Sequence, residues 1–151
     1  MSKTRNFAKS FAGCALAVLF GLSATSALAT SNPPAGMVAI NYNRCDNDYA
    51  DWGTHLWKDG GTPLPGIDWK TPMKPTGKTD FGVFWHAKAD EFGPKANVNY
   101  IIHKGDSKDQ GGKDMSFDGA ATKEIWVNNG DRKIYTSLDD AKKARAASPC
   151  K

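Results

Sequence analysis

The sequence is poor in cysteine and histidine, three of each among 151 residues, and it lacks any long apolar run. The longest, Cys14 to Leu22, falls short of the roughly 20 residues a membrane-spanning helix needs, so no membrane span is expected. Scattered histidines and so few cysteines do not make a metal site, and no cofactor follows from the sequence. A cluster of Lys and Arg interleaved with aromatics is also missing, which argues against nucleic acid as a partner. There is no Gly-x-Ser-x-Gly nucleophile turn. Gly112-Lys113 is followed by Asp114, where a phosphate loop needs Ser or Thr.

What is present begins with export. Lys3, Arg5 and Lys9 precede the apolar run, and Ala27-Leu28-Ala29 suits cleavage. These features predict a secretory signal peptide over residues 1–30, cut near Ala29 or Thr30, and a secreted or periplasmic product. The three bases leave with the signal, so the formal charge of +4 belongs largely to it. About 120 residues remain, enough for one core. Cys14 is lost as well. Cys45 and Cys150 are left as a pair in an oxidising compartment, which favours an intramolecular disulfide over free thiols or an intermolecular bridge. It would close a loop of about 100 residues, worth up to roughly 4–5 kcal/mol in the chain-entropy model.

After a flexible lead-in at residues 31–36, strands are expected at Met37–Tyr42, Trp52–Trp57, Phe81–Ala89, Val98–His103 and Ile125–Asn128, with a short one at Ile134–Thr136. Lys58 to Gly66, with its two prolines and three glycines, must be a loop. Trp69 to Thr79 reads as irregular or an edge segment. Short strands without intervening amphipathic helices argue for an all-β fold, an immunoglobulin-like antiparallel β-sandwich spanning residues 37–136. A short C-terminal helix is expected within the tail at residues 137–151. Ser137 would cap it, with acids in its first turn and bases in its last.

The stretch Tyr49-Ala50-Asp51-Trp52-Gly53-Thr54-His55-Leu56-Trp57 concentrates aromatics in a polar neighbourhood. Strand alternation sends Trp52, Thr54 and Leu56 to one face and Gly53, His55 and Trp57 to the other. The first face suits a core. The second sets an imidazole and an indole side by side beyond a glycine, a flat platform for the apolar face of a sugar ring. Buried core is the competing reading for either indole. Trp85 and Trp126 lie within apolar strands and read as structural, whereas Trp69 stays unassigned. His103 to Asp114 packs alternating charges among glycines. Its Asp spacing does not match a calcium-binding helix-loop-helix, and no bidentate Glu closes it.

Several of these segments resemble, in the same order, the pullulanase-associated starch-binding domains, carbohydrate-binding module family 41. They are Asn41-Tyr42-Asn43-Arg44, Asp51-Trp52-Gly53, His55-Leu56-Trp57, Trp69 with Pro72, Asp80-Phe81-Gly82, Ile102 to Asp109, and Glu124-Ile125-Trp126-Val127 running to Ile134-Tyr135. The resemblance implies a β-sandwich that binds α-1,4-linked glucans (starch, amylose, pullulan, glycogen) without chemistry. It implies carbohydrate-binding roles for His55 and Trp57 as the platform. Lys108 and, by a one-residue shift in the glycine turn, Asp114 would be the hydroxyl ligands, with Asp106 assisting from the same loop. Some members carry a further aromatic near the place of Gly105 or Asp106, where this chain has no ring.

Two other classes compete. A glycosidase needs a carboxylate pair typically ~5–9.5 Å apart; acids are plentiful, yet most stand in turns beside Gly or Lys. An accessory or inhibitor subunit could instead dock on a secreted glycoside hydrolase of the pullulanase type. A glucan binder should expose Trp57 beside Lys108, whereas a docking protein could carry its exposed aromatics elsewhere.

Overall fold

Alternation of apolar and polar side chains sets the architecture from Met37 onward. The computed structural model describes residues 30–150; the expected signal peptide, apart from Thr30, lies outside the described residues. In chain order the elements are β1 (Met37–Asn43), β2 (Gly53–Trp57), β3 (Gly77–Lys78), β4 (Val83–Lys88), β5 (Asn97–Lys104), β6 (Ser107–Lys108), β7 (Met115–Asp118), β8 (Glu124–Asn128) and α1 (Leu138–Ala147). One sheet runs β3-β4-β1-β8. The other runs β2-β5-β6, with β7 also on β5. Every pairing is antiparallel except β1 with β8, which is parallel.

Val38, Ile40 and Tyr42 of β1 face Leu56 of β2 and Val98, Tyr100 and Ile102 of β5, closing a core between the sheets. Trp85 completes it and donates its indole N–H to the Met73 carbonyl at 2.9 Å, so the buried ring leaves no donor unpaired. Trp52 is buried in the same cluster with Arg44 stacked 4.1 Å from its ring centre.

A second, smaller cluster lies outside the first sheet. Phe81, Trp126, Tyr135 and Ala141 are buried there against Leu138 and Ala144 of α1. The helix starts as its sequence predicts: Ser137 accepts from the Asp140 N–H at 3.4 Å, and Asp139 and Asp140 occupy the first turn. Asn128 donates to the Ala141 carbonyl at 2.9 Å. Beyond the helix, Cys150 is disulfide-bonded to Cys45 with Cα atoms 5.3 Å apart. Ser31 lies against the same sheet, its N–H and hydroxyl both donating to Glu124, at 2.9 and 2.7 Å.

The structure departs from the sequence expectation in its short elements. Ile134–Thr136 is not a strand; Tyr135 makes a single bridge to Trp126, with N–H···O distances of 2.8 and 3.0 Å. Strand β3 is the edge of its sheet, within the Trp69–Thr79 segment read as irregular or edge, whereas β6 and β7 were not expected. Two residues are too few to show alternation, and β7 begins directly after a run of charge and glycine that reads as loop.

Candidate functional site

Helix α1, the one α-helix among the described residues, packs with Trp126 of the first sheet rather than on the outer face of the β2–β5 sheet. Register decides what that face presents. Gly53 pairs with His103, His55 with Ile101 and Trp57 with Asn99, so two histidines, an indole and an isoleucine share one patch. Thr54 and Leu56 point inward and are buried, which places Trp57 and His55 outward as alternation requires.

The segment between β2 and β3 folds back over this patch. Met73 exchanges two backbone hydrogen bonds with Thr54, at 2.9 and 3.0 Å, and Pro72 lies against Gly53, where an added Cβ would stand 2.8 Å from the proline ring. The gap left by the glycine is therefore filled by Pro72 rather than open. Upstream, the Asp68 carboxylate accepts from the Lys70 and Thr71 N–H groups at 2.7 and 2.9 Å. Such a side-chain-closed turn fixes the backbone locally, and the residue it displays is Trp69. The indole lies flat on His103, ring centres 3.9 Å apart and planes within 7°. Its edge meets His55 at 5.7 Å, and His55 is 5.6 Å from Trp57.

The charged loop supplies the rim. Lys104 and Ser107 are joined by the two-residue turn Gly105-Asp106, whose glycine takes φ of 54°, the left-handed conformation that such hairpins favour at glycine. Asp106 accepts from the Trp69 indole N–H at 3.3 Å. Lys108 is exposed, its ammonium 5.0 Å from the Trp69 ring centre. The loop is not wholly solvated: Asp109 is buried and accepts from the Tyr42 hydroxyl, from Asn129 Nδ2 at 3.0 Å, and from the N–H groups of Gln110 and Gly130 at 2.6 and 2.7 Å. This carboxylate ties the segment carrying Lys108 to the first sheet.

His55, Trp57, Gly61, Trp69, Ile101 and Asp114 line a shallow hollow of about 300 Å³. Trp57 and Trp69 are both half-buried, and neither packs into the core cluster. Of the residues expected from sequence, His55, Trp57 and Asp114 bound the hollow directly. Lys108 and Asp106 reach it through Trp69, so Lys108 stands nearer Trp69 than a simple pairing with Trp57 would have it. A larger hollow of about 670 Å³ beside the disulfide has no aromatic lining.

His103 is fully buried, and its Nδ1 lies 2.8 Å from the Gly105 carbonyl. A carbonyl can only accept, so Nδ1 carries the proton. Burial holds this imidazole below its ordinary value of 6.5, with repulsion from His55 and Lys108 in the same direction and the Gly105 contact opposing. Apolar ring faces set beside an ammonium and carboxylates suit a ligand that has both C–H faces and hydroxyls. Among the described residues, no cluster of His, Cys, Asp and Glu could hold a metal ion, and no helix is long and apolar enough to cross a membrane.

Sequence reasoning missed Trp69 and His103. Both belong to the patch only through register and a non-periodic loop, and a single sequence shows neither. The available signals for Trp69 were an aromatic outside any strand, after a proline- and glycine-rich segment, and its place with Pro72 among the segments that carry the family resemblance.

The comparisons agree with this fold. A structure of family 41 carbohydrate-binding modules from streptococcal virulence factors, which recognise alpha-glucan, superposes with a TM-score of 0.58 at 22% identity. It covers 70% of this chain and 49% of that one. PulA from Klebsiella oxytoca superposes with a TM-score of 0.62 at 18% identity, covering 82% of this chain and 13% of its own. An alpha-amylase of Streptomyces lividans is 31% identical over 70 residues, 46% of this chain and 7% of the amylase. The chain thus spans half or less of each relative named. Residues 36–136, from the turn before β1 to the end of the Tyr135 bridge, match the bacterial pullanase-associated domain, and this chain belongs to that family.

Proposed function

We propose that this protein binds α-1,4-linked glucans non-catalytically through the hollow on the open face of its β2–β5 sheet. The observation that carries the reading is the convergence of His55, Trp57 and Asp114 on one hollow from strand and loop segments far apart in sequence. Trp57 stacks on a pyranose ring. His55 extends the platform and offers a ring nitrogen to a hydroxyl. Lys108 and Asp114 bind hydroxyls at the rim, and Asp106 acts from the same loop. The relatives add support: modules of similar fold recognise alpha-glucan, and the 31% identical relative is an alpha-amylase.

The glucan module occupies residues 37–136, α1 belongs to the tail, and the disulfide ties the tail's Cys150 to Cys45 of the module. The Cys45–Cys150 bond fits an exported protein, secreted or periplasmic after cleavage near Ala29. The relatives carry the matching segment within longer chains, so a glycoside hydrolase in the same chain or beside it is the partner implied. The test is a glycan-binding panel of amylose, glycogen, pullulan and cellulose, with reducing-sugar release followed in parallel. Retention on the α-glucans, none on cellulose and no sugar release are expected. Trp57→Ala should abolish retention with the melting temperature held; unchanged retention sinks the assignment of this site.

A further inference from the structure

We infer that Trp69 is a third sugar-stacking residue of the site and that Asp106 holds it in place, so that the site takes one more pyranose unit than His55 and Trp57 can. This rests on the α-glucan reading above and deepens it. The first support is the order of the rings. His55 lies between the two indoles, 5.6 Å from Trp57 and 5.7 Å from Trp69, and all three line one hollow. Evenly spaced rings offer successive apolar faces to successive units of a chain, which a single pair cannot.

The second support is how the indole is fixed. The Asp68 turn positions its backbone, His103 backs one face at 3.9 Å, and Asp106 receives its N–H at 3.3 Å across 37 residues of sequence. Three constraints on a half-buried ring outside the core cluster are more than burial of apolar surface requires. They are what preorganised stacking needs, because an indole already immobile loses little freedom when a ligand covers it. With His103 behind it, only the other face of Trp69 is available, and the Lys108 ammonium rests 5.0 Å from that ring. Lys108 is exposed on a flexible stem, so a sugar that covers the ring displaces the ammonium and offers it hydroxyls in exchange. Among the described residues, the cations that rest over aromatic rings lie on Trp52, Tyr49, Trp69 and Tyr135, not on Trp57.

The test is calorimetric titration with maltose, maltotriose and maltotetraose. For the unaltered protein, affinity should rise about tenfold from maltose to maltotetraose. In Trp69→Ala this ratio shrinks to about twofold, because maltotetraose loses the extra contact and maltose loses far less. Trp69→Phe restores most of the ratio, and Asp106→Ala gives an intermediate one. The unaltered protein supplies a second readout that needs no variant. Limited indole oxidation with N-bromosuccinimide and peptide mapping should show Trp69 protected by saturating maltotetraose and much less by maltose. If Trp69→Ala keeps the full ratio, or Trp69 oxidises equally with and without maltotetraose, while Trp57→Ala abolishes binding, this inference falls and the reading of the site stands. If the unaltered protein binds no maltooligosaccharide, both fall.

Discussion

Trp126 and Trp57 stand at the same kind of position. Each points from a strand away from the space between the sheets, yet their surroundings are opposite. Trp126 is buried beneath α1, sharing a cluster with Phe81, Tyr135 and Ala141. Trp57 is half-buried at the edge of a hollow, outside the cluster that α1 covers. The strands do not make the difference; what the chain does next makes it. After β8 it turns, bridges back through Tyr135 and lays down a capped helix, and beyond that helix Cys150 is bonded to Cys45. After β2 it returns as a loop that adds the Trp69 ring beside His55, extending the patch rather than covering Trp57. An outward indole on a strand is therefore structural or available according to the segment that follows it.

Four experiments would break or sharpen this contrast, and the largest effect belongs to the sealed face. Replacing both Cys45 and Cys150 with Ser opens a loop of 105 residues and should lower stability by up to about 4–5 kcal/mol, measured by urea unfolding. Glucan retention below the melting temperature should survive. Trp126→Ala should cost about 3–5 kcal/mol and release α1, seen as loss of helical circular dichroism, again with retention intact. If either change abolishes retention in folded protein, the two faces are not separate in role.

The open face should respond the other way. Lys108→Ala should weaken maltotetraose binding about ten- to a hundredfold with little change in melting temperature. The smallest effect concerns pH. His103 on the open face and His86 on the outer face of the other sheet are both held below the ordinary histidine value, chiefly by burial. The unfolded chain then takes up protons first as pH falls below about 6.5, so stability is full above that pH and declines as pH drops toward the folded-state values. Melting temperature followed from pH 8 to pH 5 should fall. His103→Gln and His86→Gln should each flatten the decline, and only the former should also weaken glucan binding. A profile with no decline would contradict the burial of both rings.

Much of the sandwich was legible from sequence because burial on one side leaves a period-two trace. β1, β2, β4, β5 and β8 were expected within two residues of their observed ends, and Ser137 announced α1. The disulfide followed from the count of exported cysteines. The site was legible only in part. His55 and Trp57 could be placed on one face by alternation, and Lys108, Asp106 and Asp114 through a resemblance. His103 entered through its pairing with Gly53, and Trp69 through a turn closed by Asp68. The Asp68 turn is local, but the His103 pairing and the contacts of Trp69 with His103 and Asp106 are distant in sequence, and no local pattern encodes them. Asp109 reads as one more charge in a solvated run, yet its carboxylate is a buried anchor for Tyr42, Asn129 and Gly130.

The contact between Gly53 and Pro72 has a practical corollary for engineering. A side chain at residue 53 would collide with the proline ring and push away the whole return segment that displays Trp69. Anyone transplanting that segment onto another sandwich to graft a sugar specificity must carry the glycine with it, and a library that randomises position 53 would be screening the loop's placement without touching the loop.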